Sequence, residues 1–438
     1  MSFAKGSIAK NRCEWHYNTT VNCNYELNSD SIGGYSRGQV PPEPDIAGIG
    51  IVAVFIAVTS FAVLMGVLDA LWILLKKCRS RRSKDRSRKR KQLWNNFSRS
   101  EFFQAITISC SDQQVFTGGA YVVTLQFWKG CFITAYHYNI IANMLLLTCA
   151  THLMSVVISR NYWKSPLVAI VRVILITSVF ILTGFVLSSQ KSNFPMKVPE
   201  DGDPNVALLL RAACYQDERG MEMLRNKLVD SFKDPEAAKQ AFVYSNPGSF
   251  IHGWNLYLAI LVWYAVTILA EVGRWFYRAR ERRKQKRLQA MGTRGKLLRG
   301  LEDRTSFLGK IFYWIYGFYV MGGLVICGIT VVVCANQIMK LRKWAKRSEW
   351  LKVDTGGQSE EDDATSFGQL VPIILVGLVV FSALATFSGK VPRPNVQHAM
   401  PTSLLTKTIF VDLRLQGKRN KAQEVKPTKG HYGPIPGR

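Results

Sequence analysis

The apolar residues of this chain are gathered into long runs, and basic segments fill the gaps between them. A helix needs roughly 20 mostly apolar residues to cross the ~30 Å hydrocarbon core of a bilayer. Seven stretches meet that length: 46–75, 114–133, 139–159, 167–189, 252–273, 311–339 and 368–388. The second is the most dilute, because Gly118, Gly119, Gln126 and Lys129 interrupt it. The pattern predicts an all-α fold, a seven-helix transmembrane bundle with its N-terminus outside and its C-terminus cytoplasmic. It divides the chain into an outer segment 1–44, a membrane domain 45–389 and a basic cytoplasmic tail 390–438. The first 40 residues are polar and hold no apolar core, so no cleavable signal peptide is expected and the first span serves as the insertion signal.

Orientation follows from the positions of Lys and Arg. Residues 76–91 hold 11 basic residues against one acid, and 274–310 hold 13 against three. With seven crossings both blocks, in the loops 76–112 and 274–310, fall on the cytoplasmic side. The cytoplasmic segments then total 37 basic and 8 acidic residues, the outer ones 19 and 20 with Lys129 of the second stretch counted among them. Without the second span, the 274–310 block would have to be translocated. Seven crossings is therefore the preferred count. Lys340, Arg342, Lys343, Lys346 and Arg347 fall outside; they are expected to continue the sixth span as an interfacial helix anchored by Trp344 and Trp350, with the acids 360–363 near enough to offset them.

Composition agrees. Of 438 residues 48% are hydrophobic and 20% charged, with a net charge of +27. The mean hydropathy of +0.03 is neutral only because very apolar and very basic segments cancel. A single soluble domain, a disordered tail protein and a one-helix anchored ectodomain are excluded.

On this topology Cys13, Cys23, Cys131 and Cys214 face the oxidising side, while Cys78 and Cys110 face the cytosol. Four cysteines allow three pairings, and spacing does not choose among them. The expectation carried forward joins Cys13 to Cys23, closing a short loop, and Cys131 to Cys214. Asn18-Thr19-Thr20 is an outer N-glycosylation acceptor. The outer loop 190–251 is too long for a bare turn. Apolar spacing over 204–227 and the helix start Asp234-Pro235-Glu236 predict a small helical cap there.

No catalytic signature is present, neither HExxH, GxSxG, a P-loop nor a placed GxGxxG. The six histidines lack metal-ligand spacing, so neither catalytic residues, a metal nor a cofactor is expected. Ser111-Asp112-Gln113-Gln114 fits a capping box that would start the second span. The intramembrane polar candidates are Asp69, Gln126, Asn143, His152, Arg172 and Glu271. Ionisable residues in spans are functional candidates by default. Asp69, Arg172 and Glu271, however, lie near cytoplasmic span ends, where snorkelling or structural ion pairing explains them. Interhelical hydrogen bonding is the expected role of Gln126, Asn143 and His152. The basic blocks flank spans and carry almost no aromatics. Attraction to anionic lipid, at about 1 kcal/mol per residue near the surface, accounts for them without nucleic acid; a cytoplasmic protein partner is the other reading.

Several local motifs recur together. Pro44-Asp45-Ile46-Ala47-Gly48-Ile49-Gly50 opens the first span, Cys110 to Gln114 with Thr117 and Gly118 the second, Ala135-Tyr136-His137-Tyr138 the third, which continues through Thr151-His152-Leu153, and Ser366-Phe367-Gly368-Gln369 the seventh. With these the chain from 44 to 388 resembles a group of uncharacterised multi-pass membrane proteins of filamentous ascomycete fungi. The resemblance implies an integral protein of the plasma membrane or another secretory-pathway membrane and brings no activity with it. Three functional classes follow from topology: a receptor-like or sensor protein, a channel or transporter in an oligomer or alone, and a membrane scaffold. The first is the leading expectation, because the deep polar residues are few and no inverted repeat is apparent.

Overall fold

The computed structural model describes residues 13, 18–23, 30–82, 86–126, 130–159, 166–190, 194–199, 206–216, 253–290, 307–353, 359–363, 369, 372–377, 379 and 381. The expected helix start at 234–236 and the tail 390–438 lie outside them, as does most of the seventh stretch. Within that stretch the described residues are helical.

The chain is mostly helical. A two-residue hairpin, β1 (Ser31–Ile32) and β2 (Tyr35–Ser36), precedes the short helix α1 (Pro44–Ala47) and the long α2 (Ile49–Arg82). Then come α3 (Arg86–Thr124), α4 (Ala135–Ile158), α5 (Pro166–Ser189), the short α6 (Ala212–Gln216), α7 (Trp254–Ala290) and α8 (Phe307–Ser348). Five segments are long and apolar enough to cross a membrane: Pro44–Leu75, Ala135–Ile158, Leu167–Ser189, Trp254–Gly273 and Gly317–Ser348. They coincide with five of the seven expected stretches. α8 runs on to Ser348, so the basic residues after the sixth stretch do continue its helix.

α4 is the centre. All its residues from Ala135 to Ile158 are buried, and α2, α3, α5, α7 and α8 pack around it. A helix apolar on every side is stable only when enclosed, and the sequence of α4 meets that condition. Three of its polar residues bond within the helix: Thr148, Thr151 and Asn143 donate to the carbonyls of Met144, Leu147 and Asn139, at 3.0, 3.0 and 2.8 Å. The surrounding helices turn large apolar side chains outward, among them Leu64, Leu71, Leu167, Ile174, Leu269, Phe318 and Val332. An apolar surface of that extent would drive association in water; against lipid tails it is the required surface. This is the architecture of a multi-pass membrane protein.

α3 departs from expectation. The capping box at Ser111 does not start a helix, because the helix already runs from Arg86. Ser111 lies in its interior and Gln114 reaches α2 instead. α3 is the most polar of the long helices and lacks a window apolar enough to count as a span. Even so it lies along the height of α2. Ser100 donates to Asp69 at 2.6 Å, Gln114 to Thr59 at 2.9 Å, and Tyr121 to the Asp45 carbonyl at 2.6 Å. From Ser100 to Tyr121 is roughly 30 Å at about 1.5 Å per residue. Gly118 permits the approach to α4, since a Cβ there would stand 2.8 Å from Thr148.

The disulfides correct the expected pairing. The bonds are Cys13–Cys131 and Cys23–Cys214, each with Cα atoms 5.7 Å apart. The reason is tertiary. Residues 206–216, the described part of the expected helical cap, do form short helical turns at Ala207–Leu209 and Ala212–Gln216, and they lie in the core, with Leu208, Leu209, Leu210 and Cys214 buried. Backbone bonds from Ala135 to Leu210 (2.8 Å) and from Ala212 to Ile133 (2.9 Å) fix this segment beside the start of α4. The N-terminal segment crosses both, so its two cysteines pair outward instead of with each other.

Candidate functional site

The disulfide-bearing end of the bundle is where five parts of the chain meet. The backbone of Val40 pairs with Trp350 and Lys352, at 3.1 and 2.8 Å, and Arg37 meets Glu349 at 3.1 Å. α4 begins here because Thr134 has extended backbone and its hydroxyl accepts the His137 N–H at 3.3 Å, satisfying one of the free amides of the first turn. That cap places Tyr136 and His137 side by side, both buried, in the first turn of the central helix.

Opposite them the acidic run 360–363 forms one 3-10 turn, Glu360–Asp362, capped by Ser359. The turn aims Glu361 inward and Asp362 outward. Glu361 is 3% exposed. One of its oxygens takes His137 Nε2 at 2.9 Å and the Glu43 backbone N–H at 3.2 Å; the other accepts the Tyr136 hydroxyl at 3.1 Å. Burial raises the carboxyl's pKa, but the His137 hydrogen bond and charge, the Glu43 amide and the Tyr136 hydroxyl outweigh it and hold the acid below its ordinary value. Glu361 is therefore an ionised carboxylate in the interior. His137 Nδ1 lies 2.8 Å from the Thr134 hydroxyl, which helps to hold the ring against Glu361.

Asp362 sits at the rim between Arg342 (2.8 Å) and Lys346 (2.9 Å) of α8. Its partial burial raises its pKa, and Lys346 and Arg342 more than reverse that, so it too is held below the ordinary range. Arg342 also donates to the Glu361 carbonyl at 3.3 Å. Above these residues opens a cleft of about 220 Å³, lined by Tyr136, Arg342, Lys346, Glu349, Leu351, Val353, Ser359, Glu361 and Asp362 among others. Its lining brings the charged Arg342, Lys346, Glu349, Glu361 and Asp362 together with the apolar Ala345, Leu351 and Val353.

The expected site residues lie elsewhere. His152 contacts Ser111 at 2.7 Å across the α4–α3 interface, and Asn143 lies on the other side of α4, near Gln190 and Gln337. Arg172 pairs with Asp112 through Nε at 2.6 Å and through a second, Nη2 contact. Asp69 is buried against Ser100, Glu271 is buried on α7, and Gln126 is exposed just past α3. The candidates are thus spread over separate interfaces. Asn18 is exposed, as a glycan acceptor must be. His137, Tyr136 and Glu361 were not among the expected site residues. The signal for them was faint: a Thr three residues before a His at the head of an apolar run, and a four-acid cluster far along the chain.

No family model matches the chain, and no curated protein or solved structure matches it.

Proposed function

We propose that this is a receptor-like or sensor protein of the plasma membrane or another secretory-pathway membrane, one of the fungal group its motifs resemble. In this reading seven helices cross, with the disulfide end outside. One observation carries the functional part. The outer cleft rests on Glu361, and Glu361 is bonded to the first turn of α4, the enclosed helix against which the other long helices pack. A molecule that displaces the 359–363 turn thereby acts on an element that reaches the far end of the bundle. The orientation is supported by chemistry at both ends. Both disulfides lie at one end, as oxidising conditions require. The basic residues in the last turns of α2 and along the end of α7 lie at the other, where anionic lipid attracts them. The locally paired polar residues of the interior favour a closed bundle over a conducting one.

The test uses the full chain in nanodiscs with spin labels at residues 82 and 290, the inner ends of α2 and α7. Glu361→Gln keeps the shape and removes the charge, and is expected to shift the distance distribution while the protein stays folded. An unchanged distribution in a folded variant, or selective ion flux through proteoliposomes of the native chain, would overturn the sensor reading. An N-terminal tag should be reached from outside intact cells and a tag within 80–90 should not; the reverse labelling would overturn the orientation.

A further inference from the structure

A second cavity, independent of the outer cleft, lies between α4, the end of α5, α8 and the strap 194–199. It is lined by Asn139, Ala142, Asn143, Leu146, Gln190, Met196 and Gln337. All four carboxamides donate, to one another or to nearby carbonyls. Asn139 Nδ2 donates to the Pro195 carbonyl at 2.8 Å, Gln190 Nε2 to Asn139 Oδ1 at 2.9 Å, and Asn143 Nδ2 to the Asn139 carbonyl at 2.8 Å. Gln337 Nε2 donates to the Met196 carbonyl at 3.1 Å. Each carboxamide nitrogen thus has an acceptor. Asn143 is 4% exposed, and its Oδ1 has no hydrogen-bond partner among the described residues.

A buried amide oxygen without a donor is destabilising, and native interiors meet such a need with ordered water. The cavity measures about 10 Å³, close to the space that one water requires. It is too small for an organic ligand. We infer that this cavity is a binding site for a single water molecule that donates to Asn143 Oδ1 and joins α4 to its carboxamide neighbours. A hydrated or multiply coordinated cation does not fit the volume. The water occupies the outer half of the bundle, where the strap 194–199 meets α4 and α8, and fills what would otherwise be a polar gap beside the central helix.

The full chain in nanodiscs tests this by X-ray hydroxyl-radical footprinting, in which radicals form from bound water inside the protein. Leu146 is 1% exposed and lines the cavity, while Leu145 and Leu147, both fully buried, do not line it. Leu146 is expected to be oxidised at least several-fold faster than its two neighbours. Asn143→Leu fills the cavity with a methyl-bearing side chain and should bring Leu146 down to the rate of Leu145. Equal protection of all three leucines in the native protein means a dry cavity and ends the proposal. Unchanged Leu146 oxidation in a folded Asn143→Leu variant also ends it, because the radical source would then lie elsewhere. Exchange of sodium for choline in the buffer should leave the rate unchanged; a rate that depends on sodium would replace the water with a monovalent cation.

Discussion

At Glu361 a carboxylate is kept charged inside the protein because three donors converge on its two oxygens. Hydrogen bonds to charged groups contribute about 1.5–3 kcal/mol each, and donors left behind in the interior add a desolvation penalty. Glu361→Ala leaves His137, Tyr136 and the Glu43 amide without their acceptor, so a loss of at least about 2 kcal/mol is expected, read as a lowered thermal midpoint in nanodiscs. The pH dependence has a definite sign. The folded carboxyl titrates below its ordinary value. Its contribution is therefore fully present above the unfolded value of about 4.3 and disappears as pH falls through the lower, folded one. The stability gap between native protein and Glu361→Gln should narrow once the pH falls below the unfolded value of about 4.3. A gap that instead opens on acidification would mean that the acid is protonated at neutrality. Arg172 offers a contrast. Its pairing with Asp112 is about one-third exposed, so solvent screens it and Arg172→Gln should cost little.

At the scale of elements, α3 shows how a polar helix is admitted to an apolar bundle. It presents Ser111, Gln114 and Gly118 to its neighbours, and each has a reason: a hydrogen bond to His152, one to Thr59, and a close approach to Thr148. The adjacent glycines give a paired test. Alanine gains about 1 kcal/mol of helix propensity over glycine at either position. At Gly119 the new Cβ meets Val179 at an ordinary 3.7 Å, so Gly119→Ala should be neutral or stabilising. At Gly118 it meets Thr148 at 2.8 Å, and overpacking of that kind costs about 1–3 kcal/mol, so Gly118→Ala should lower the midpoint. Equal effects at both positions would mean that α3 does not pack on α4 this closely. The five apolar spans were legible because hydrocarbon imposes one demand on every residue of a stretch, and a run of 20 answers it openly. α3 was misread at its start because Ser111 and Gln114 satisfy a cap and an interhelical contact equally well on paper. The Glu361 cluster was hidden for a different reason. Its partners come from 43, 136, 137 and 361, and only folding brings those positions together.

Over the whole molecule the two disulfides decide how the end of the bundle that carries them is assembled. Local proximity in sequence favours Cys13–Cys23, since a ten-residue loop closes at little entropic cost. The fold overrides it, because residues 131–135 and 206–216 are fixed against each other by backbone bonds and the N-terminal segment is laid across both. The bonds span 118 and 191 residues. In a free chain, closing loops of that size would contribute up to about 5 kcal/mol each. Membrane insertion of the intervening helices already restricts the unfolded chain, so the effect should fall short of that value. Non-reducing peptide mapping of the native protein is expected to recover Cys13 linked to Cys131 and Cys23 linked to Cys214. Cys131→Ser should leave Cys13 as a free thiol without disturbing the other bond, and should release the N-terminal segment from the head of α4. Because Val40 also ties that segment to 350–352 beside the outer cleft, faster amide exchange is expected there as well. Recovery of a Cys13–Cys23 peptide would return the N-terminal segment to an independent loop. The cleft would then lose its mechanical tie to the start of the central helix through residue 131, and the Glu361 contacts alone would have to hold the outer end in place.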